Sequence, residues 1–236
     1  MLASARLIVA LDVPTAGSAH KIVAAIGDSA SLYKVGMQLY TAEGPQIVRD
    51  LVTSGRRVFL DLKYHDIPNT VASAVRQAAA LGVSMITVHA SGGERMLRAA
   101  AEASAASSPT SASRPLILAV TVLTSMAHDD LASTGVPGEV PDQVSRLAAL
   151  AIRSGCGGIV ASAQEAARLR SELGREFVIV TPGVRPSGAD AGDQRRVVTP
   201  AQAIAAGADY IVVGRPITET ADPAAAANAI VAELTA

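Results

Sequence analysis

The sequence of 236 residues has no tryptophan, 3% aromatic residues and one cysteine, although half of its residues are apolar. The single cysteine, Cys156, excludes an internal disulfide and fits a reducing compartment. We interpret it as a small buried residue and not as a nucleophile, because no base is visibly placed to activate it. With so few aromatic residues, the core must consist of Ala, Val, Ile and Leu, which favours helices packed tightly on a sheet.

The chain also lacks an excess of either charge and any long apolar run. Its 20 basic residues balance 21 acidic ones, giving a net charge of −1. The basic residues do not form a stripe with interleaved aromatics, so nucleic acid is not expected as a partner. No uninterrupted apolar run approaches the roughly 18 residues of a membrane span, and the N-terminal run is too short for a signal peptide. We therefore expect a cytoplasmic protein that does not contact a membrane.

Eight short runs rich in aliphatic residues recur along the chain. Their nearly continuous apolar character is typical of parallel strands that are covered on both faces. The predicted strands span residues 6–12, 32–36, 57–63, 85–90, 116–122, 157–163, 177–183 and 209–215.

Ala-rich helical patterns separate these runs, so strand and helix alternate throughout. The segment ALDVPTAG after the first strand lacks the G-x-G-x-x-G fingerprint of a doubly wound dinucleotide-binding sheet. The sequence therefore predicts a single (β/α)8 TIM barrel over residues 1–236, close to the typical length of about 250 residues. We interpret the Ser-rich segment 104–114 as a solvated loop away from the active face. Long loops are predicted after strands five and seven, on the C-terminal face where barrel enzymes keep their sites.

Polar residues close four consecutive predicted strands: Asp12, Lys34, Asp61 with Lys63, and His89. In a barrel such strand ends converge on one pocket, although any one of these residues alone could simply reach solvent.

Asp61 and Lys63 are two residues apart, so strand alternation predicts that they share a face while Leu62 points into the packing layer. Together with Lys34 they form an alternating array of acids and bases, in which carboxylates would keep Lys63 charged and aimed. Asp66 could instead cap the helix that contains Pro68.

A second group of polar residues lies near the last two strands: Arg185, Gln194, Arg195, Gly214 and Arg215. Barrels commonly bind phosphate at this position, so we favour a phosphate site over a flexible basic surface loop. Gly183, Gly188 and Gly192 would let the loop close as a lid. No metal site is expected, because Lys63 would compete with a cation for Asp61, Asp66 and His89.

The segment DLKYHDIPNT, residues 61–70, resembles the D-x-K-x-x-D-I-P-N-T signature of the orotidine 5′-phosphate decarboxylase family. Segments ALD, YKVG, TVHA, TVLTSM, TPGVRP and VVGRPI match other elements of that family in the same order. The resemblance implies decarboxylation of orotidine monophosphate to uridine monophosphate without a cofactor, the last step of pyrimidine synthesis, in a homodimer. It implies that Lys63 protonates C6, flanked by Asp61, Lys34 and Asp66 of the partner subunit.

The same resemblance implies the binding residues. Asp12 and Lys34 would contact the ribose, Thr70 would reach the neighbouring site across the dimer, and Thr124 would lie beside the pyrimidine. Ile67 and Pro182 would also line the substrate site. The phosphate would be held by Gln194, Arg185, Gly214 and Arg215.

Two alternatives stay open from sequence. One is a Mg²⁺-dependent sugar-phosphate decarboxylase or aldolase-like synthase of the same barrel superfamily, which shares D-x-K-x-x-D. The other is a catalytically silent barrel that binds a nucleotide or phosphate. The intact set of Asp61, Lys63 and Asp66 argues against the silent barrel, and metal dependence separates the two enzymes.

Overall fold

A computed structural model describes residues 2–107, 110, 114–186 and 198–234. Eight parallel strands pair in chain order, and β8 pairs with β1, so the sheet closes into a barrel. This confirms the predicted TIM barrel and all eight predicted strands. The strands are β1 Leu7–Ala10, β2 Leu32–Gly36, β3 Arg57–Tyr64, β4 Met85–His89, β5 Leu116–Val120, β6 Gly158–Val160, β7 Val178–Thr181 and β8 Tyr210–Val213.

The helices between the strands cover the outside of the barrel. In the described residues they are α1 Ala16–Ile26, α2 Met37–Glu43, α3 Gln46–Thr53, α4 Pro68–Ala80, α5 Gly93–Ala106, α6 His128–Ser133, α7 Val140–Arg153, α8 Ala163–Leu173, α9 Pro200–Ala205, α10 Arg215–Thr218 and α11 Pro223–Glu233. None of the described helices is long and apolar enough to cross a membrane.

Two apolar layers result from strand alternation. Side chains such as Ile8, Leu32, Phe59 and Leu118 fill the barrel interior and are almost completely buried. The alternate positions pack outward against the helices. Because mostly apolar side chains fill the barrel, polar chemistry is confined to its ends.

Three local predictions need correction. Asp12 lies two residues beyond β1, because that strand ends at Ala10. The loop after β5 contains α6, whose N-terminus is stabilised by the Asp130 carboxylate accepting from the Ala127 N–H at 2.7 Å. Asp66 does not cap α4: the N-cap is Ile67, and the Asp66 carboxylate accepts from the adjacent Ile67 N–H at 2.6 Å.

Arginines tie the chain together at the N-terminal end of the barrel. Arg6 donates to the carbonyl oxygens of Ala208 at 2.7 Å and Asp209 at 3.0 Å, which joins the start of the chain to β8. Arg170 of α8 donates to Asp209 Oδ2 at 2.6 Å and to the Phe177 carbonyl at 2.8 Å. Its guanidinium also lies 4.8 Å from the centre of the Phe177 ring. The network fixes the closure of the barrel at the end opposite the predicted site.

Candidate active site

Four charged side chains, from β2, β3 and the segment that follows β1, meet at the C-terminal end of the barrel. Lys34 Nζ lies 2.8 Å from Asp12 Oδ1 and 3.7 Å from Asp61 Oδ2. Lys63 Nζ donates to both carboxylate oxygens of Asp61, at 2.9 and 3.0 Å. The side chains of Lys34 and Asp61 are 10% and 12% exposed, so the two charges are screened weakly by water. The structure thus brings together Asp12, Lys34, Asp61 and Lys63 in an alternating acid and base array, as predicted.

The route by which Lys63 reaches this cluster differs from the predicted strand alternation. β3 pairs regularly with β4 up to Leu60↔Ile86, and the next pair is Tyr64↔Val88. Three residues of β3 therefore lie opposite one residue of β4, which is a β-bulge. Within the bulge Lys63 has φ +52°, and no other non-glycine residue in the described ranges has a positive φ. Leu62 packs against the outer core as expected.

Thr87 is a member of the cluster that sequence reasoning missed. It is completely buried on β4, and its hydroxyl donates to Asp61 Oδ1 at 3.0 Å. The same hydroxyl oxygen accepts from the Lys63 backbone N–H at 2.9 Å. Its sequence signal was a hydroxyl residue at an inward-facing position of the segment MITVHA, between the apolar residues Ile86 and Val88.

Gly36 leaves room for the ion pair between Asp12 and Lys34. A Cβ at Gly36 would lie 2.9 Å from both Asp12 Oδ1 and Lys34 Nζ. Any side chain there would displace one partner of the pair.

The cluster separates two cavities that share Lys34, Asp61, Pro182 and Val212. One has a mostly apolar wall and also contains Lys63; its other lining residues are Phe59, Val120, Val122, Leu123, Thr124, Val160 and Val180. The other is polar, and its further lining residues are Ala10, Asp12, Gly183, Arg185, Gly214, Arg215, Thr218 and Glu219. The shared residues make the two cavities one elongated site with an apolar end and a polar end. We call the polar end cationic after Arg185 and Arg215, although Glu219 also lines it.

The predicted phosphate residues are placed at the cationic end as far as the structure describes them. Arg185 is buried and donates to the Val184 carbonyl at 3.0 Å, while Arg215 is exposed at the start of α10. A Cβ built on Gly214 would lie 3.9 Å from Asp12 Oδ2, so the backbone at Gly214 is close to the charged cluster. Gln194 and Arg195, with Gly188 and Gly192 of the predicted lid, lie outside the described residues.

Asp66, Ile67 and Thr70 stand apart from the two cavities. All three are exposed at the start of α4, and Ile67 is 67% exposed despite its apolar side chain. They line neither cavity within the described part of this chain.

Two histidines flank the cluster. The ring centres of His65 and His89 are 5.6 Å apart. Burial is the main cause that lowers the pKa of His89, and the nearby His65 and Lys63 act in the same direction, while Asp61 opposes them. His89 is therefore held in its neutral form beside the cationic Lys63.

Cys156 is buried as predicted, and burial raises the pKa of its thiol to about 12. In the described residues, no group of three or more His, Cys, Asp or Glu is arranged to hold a metal ion.

Comparison with known proteins gives a consistent result. Residues 5–230 match the family model described as "Orotidine 5'-phosphate decarboxylase / HUMPS family". The orotidine 5′-phosphate decarboxylase of Sodalis glossinidius is 53% identical over 232 residues, covering 98% of this chain and 91% of that protein. The one from Moorella thermoacetica is 52% identical and covers 99% and 94%. The crystal structure of orotidine 5′-phosphate decarboxylase from Lactobacillus acidophilus superposes with a TM-score of 0.88 at 39% identity, covering 98% of this chain and all of that one.

Proposed function

The chain belongs to the orotidine 5′-phosphate decarboxylase / HUMPS family, and we propose that its Asp61, Lys63 and Lys34 cluster performs the decarboxylation without a cofactor. It is a carboxy-lyase, an orotidine 5′-phosphate decarboxylase that supplies uridine monophosphate for pyrimidine biosynthesis. We further propose that it works in the cytoplasm.

In the proposed reaction, the bond between C6 of the pyrimidine and its carboxylate breaks, and CO₂ leaves without the bonding electrons. The electron pair remains on C6, where no carbonyl group is positioned to delocalise it. The Lys63 ammonium stabilises this charge and then donates a proton to C6, which forms the product. Lys63 regains its proton from water.

The contacts of Lys63 support this role. Both oxygens of Asp61 accept from its Nζ, which fixes the ammonium at the edge of the apolar cavity. A charge that is held in place before the reaction needs little reorganisation in the transition state, so it stabilises the developing carbanion efficiently.

The elongated shape of the site suits a nucleotide. We place the pyrimidine in the apolar cavity beside Thr124 and Pro182, and the phosphate at the cationic end between Arg185 and Arg215. Arginine is well matched to phosphate because its planar fork can donate two parallel hydrogen bonds. Asp12 and Lys34 lie between the two ends, where the ribose would be. Gln194 and Gly214 complete the proposed phosphate site.

We propose that two chains form a homodimer and share their active sites. Asp66, Ile67 and Thr70 are exposed on this chain and line neither cavity, which supports their use in the neighbouring site. The exposed apolar side chains of Ile67 and Met37, 67% and 56% exposed, follow the adjacent strands β3 and β2 and would be covered by a partner. Asp66 of the partner subunit would then join Lys63 and Asp61.

The single observation that carries the mechanism is the Lys63 ammonium, held by Asp61 at the mouth of an apolar cavity. The direct test follows the ultraviolet absorbance of orotidine monophosphate with purified protein in excess EDTA. We expect full turnover under these conditions. No turnover, or turnover restored only by Mg²⁺, would instead support the metal-dependent alternative and contradict the proposed mechanism.

The role of Lys63 is tested by Lys63→Ala in the same assay. We expect kcat to fall by about a thousandfold or more, because the change removes the charge that stabilises the transition state. Circular dichroism and sedimentation of the variant should match the wild type. Retained activity in a folded variant would exclude Lys63 as the proton donor.

A further inference from the structure

Thr87 occupies a distinctive position at the β3 bulge. It is the residue of β4 that lies between the regular pairs Leu60↔Ile86 and Tyr64↔Val88. In a regular parallel ladder the β3 backbone opposite it would bond to the β4 backbone. Here the Lys63 N–H is instead bonded to the Thr87 hydroxyl at 2.9 Å. The side chain of Thr87 therefore takes the place of a backbone acceptor.

The same hydroxyl is connected to the charged cluster. It donates its proton to Asp61 Oδ1 at 3.0 Å, and this oxygen also accepts from Lys63 Nζ at 2.9 Å. A hydroxyl can accept one hydrogen bond and donate another at the same time, and both partners here constrain its direction. Hydrogen bonds thus run from the Lys63 backbone N–H to the Thr87 hydroxyl, and from that hydroxyl to the Asp61 carboxylate. The Asp61 carboxylate in turn binds the Lys63 ammonium.

The side chain of Thr87 is well suited to hold these hydrogen bonds in place. It is completely buried, so water does not compete for its hydroxyl, and its branched Cβ restricts χ1. Lys63 also needs support of this kind, because φ +52° is an unfavourable conformation for a residue with a side chain.

On the basis of the proposed function, we propose that Thr87 is a positioning residue for the decarboxylation, which holds both the Lys63 backbone and the Asp61 carboxylate. It lines neither cavity, so it acts on substrate through these two residues. Removing its hydroxyl leaves the apolar and cationic ends of the site in place. The loss therefore falls on the chemical step and not on binding.

The test compares Thr87→Val, which removes the hydroxyl with little change of shape, with Thr87→Ser, which keeps it. We expect Thr87→Val to lower kcat by about ten- to a hundredfold, the effect of one hydrogen bond to a charged group, with KM within about threefold of wild type. Thr87→Ser should recover kcat to within about threefold of wild type. The matched control is Thr121→Val, which removes a buried hydroxyl that donates to the Val160 carbonyl at 3.0 Å and should keep the wild-type kcat.

A second measurement does not depend on activity. The chain has only three lysines, Lys21, Lys34 and Lys63, so labelling with ¹⁵N-lysine gives three backbone amide signals. We expect the Lys63 amide of the wild type to be protected from hydrogen exchange, and to exchange faster in Thr87→Val while the Lys34 amide is unchanged. The exchange rate of the Lys63 amide in the wild type can still be measured if a variant does not fold.

The outcomes separate this inference from the proposed function. A wild type that does not decarboxylate orotidine monophosphate contradicts the proposed function. An active wild type with an unchanged kcat in Thr87→Val contradicts the positioning role alone, as does an unprotected Lys63 amide in the wild type. A fall in kcat that Thr87→Ser does not recover would assign the effect to packing and would also overturn the inference.

Discussion

Lys63 has an unfavourable backbone conformation at the centre of the candidate active site. Its φ of +52° is of a kind that costs roughly 1 to 3 kcal/mol in a residue with a side chain. Asp61 and Thr87 hold its ammonium and its backbone N–H, respectively. In this conformation the ammonium lines the apolar cavity and donates to Asp61.

The histidine beside this cluster should make folding sensitive to mild acid. Because the pKa of His89 is lowered in the folded protein, the unfolded chain binds a proton more readily below pH about 6.5. The free energy of unfolding should therefore fall as the pH decreases from about 7 through the lowered pKa. His89→Gln should reduce this loss, as measured by urea unfolding at pH values of about 7 and 5.

The control for this measurement is His128→Gln, which removes the exposed imidazole at the start of α6. An equally steep loss of stability in His89→Gln and in the wild type would contradict the assignment to His89.

At the scale of elements, the strand pair β3 and β4 positions Lys63 in the site, while α8 stabilises the opposite end of the barrel. The bulge between Leu60 and Tyr64 interrupts the ladder where Asp61 and Lys63 are needed. On α8, Arg170 and Arg168 are two residues apart but differ in surroundings. The side chain of Arg170 is 9% exposed and bonds to Asp209, whereas that of Arg168 is 43% exposed and pairs with Glu172 and Asp142.

This contrast predicts different effects of two similar substitutions. Arg170→Ala should lower the free energy of unfolding by about 2 to 3 kcal/mol, because it removes the cation paired with Asp209 and the side-chain donor to two backbone carbonyls. Asp209 then keeps only the backbone N–H of Ile179 as its donor among these contacts. The kcat of the folded variant should stay at the wild-type value, since the network lies at the far end of the barrel. Urea unfolding and the decarboxylation assay measure the two effects.

Arg168→Ala is the matched control, because solvent-exposed ion pairs contribute little to stability. Its urea midpoint should match that of the wild type. A loss of stability as large as that of Arg170→Ala would show that burial is not what distinguishes the two arginines.

At the scale of the whole molecule, chemistry and stability are assigned to opposite ends of one barrel. The charged cluster and both parts of the elongated site lie at the C-terminal end, while Arg6 and Arg170 close the N-terminal end. The interior between them is filled by apolar side chains. Loops at the active end can therefore vary with little effect on closure of the barrel.

The proposed homodimer predicts complementation between two inactive variants. Lys63→Ala and Asp66→Ala each damage both sites of their own dimers. A mixed dimer contains one site with both residues intact, so equal mixing with full subunit exchange should restore about a quarter of the wild-type activity. Exchange is verified by mass spectrometry of differently tagged chains.

Activity that stays at the level of the separate variants after verified exchange would contradict shared sites. A mixture of Lys63→Ala with Lys63→Arg is the control, because no pairing of those chains restores Lys63.

The sequence by itself determined the barrel and most of the candidate site. Eight apolar runs separated by Ala-rich helical patterns predicted all eight strands, because buried parallel strands require apolar residues on both faces. The polar residues at the C-terminal ends of predicted strands one to three predicted the cluster of Asp12, Lys34, Asp61 and Lys63, because strand ends converge in a barrel. The resemblance supplied the family, which the comparisons confirm.

The tertiary structure decided what depends on contacts between strands. Alternation along β3 placed Asp61 and Lys63 on one face, but only the register against β4 reveals the bulge and the left-handed Lys63. The role of Thr87 was invisible for the same reason, since its hydroxyl bonds to residues 24 and 26 positions away. Local patterns reflect the preferences of neighbouring residues, whereas a hydrogen bond across two strands exists only once their register is fixed.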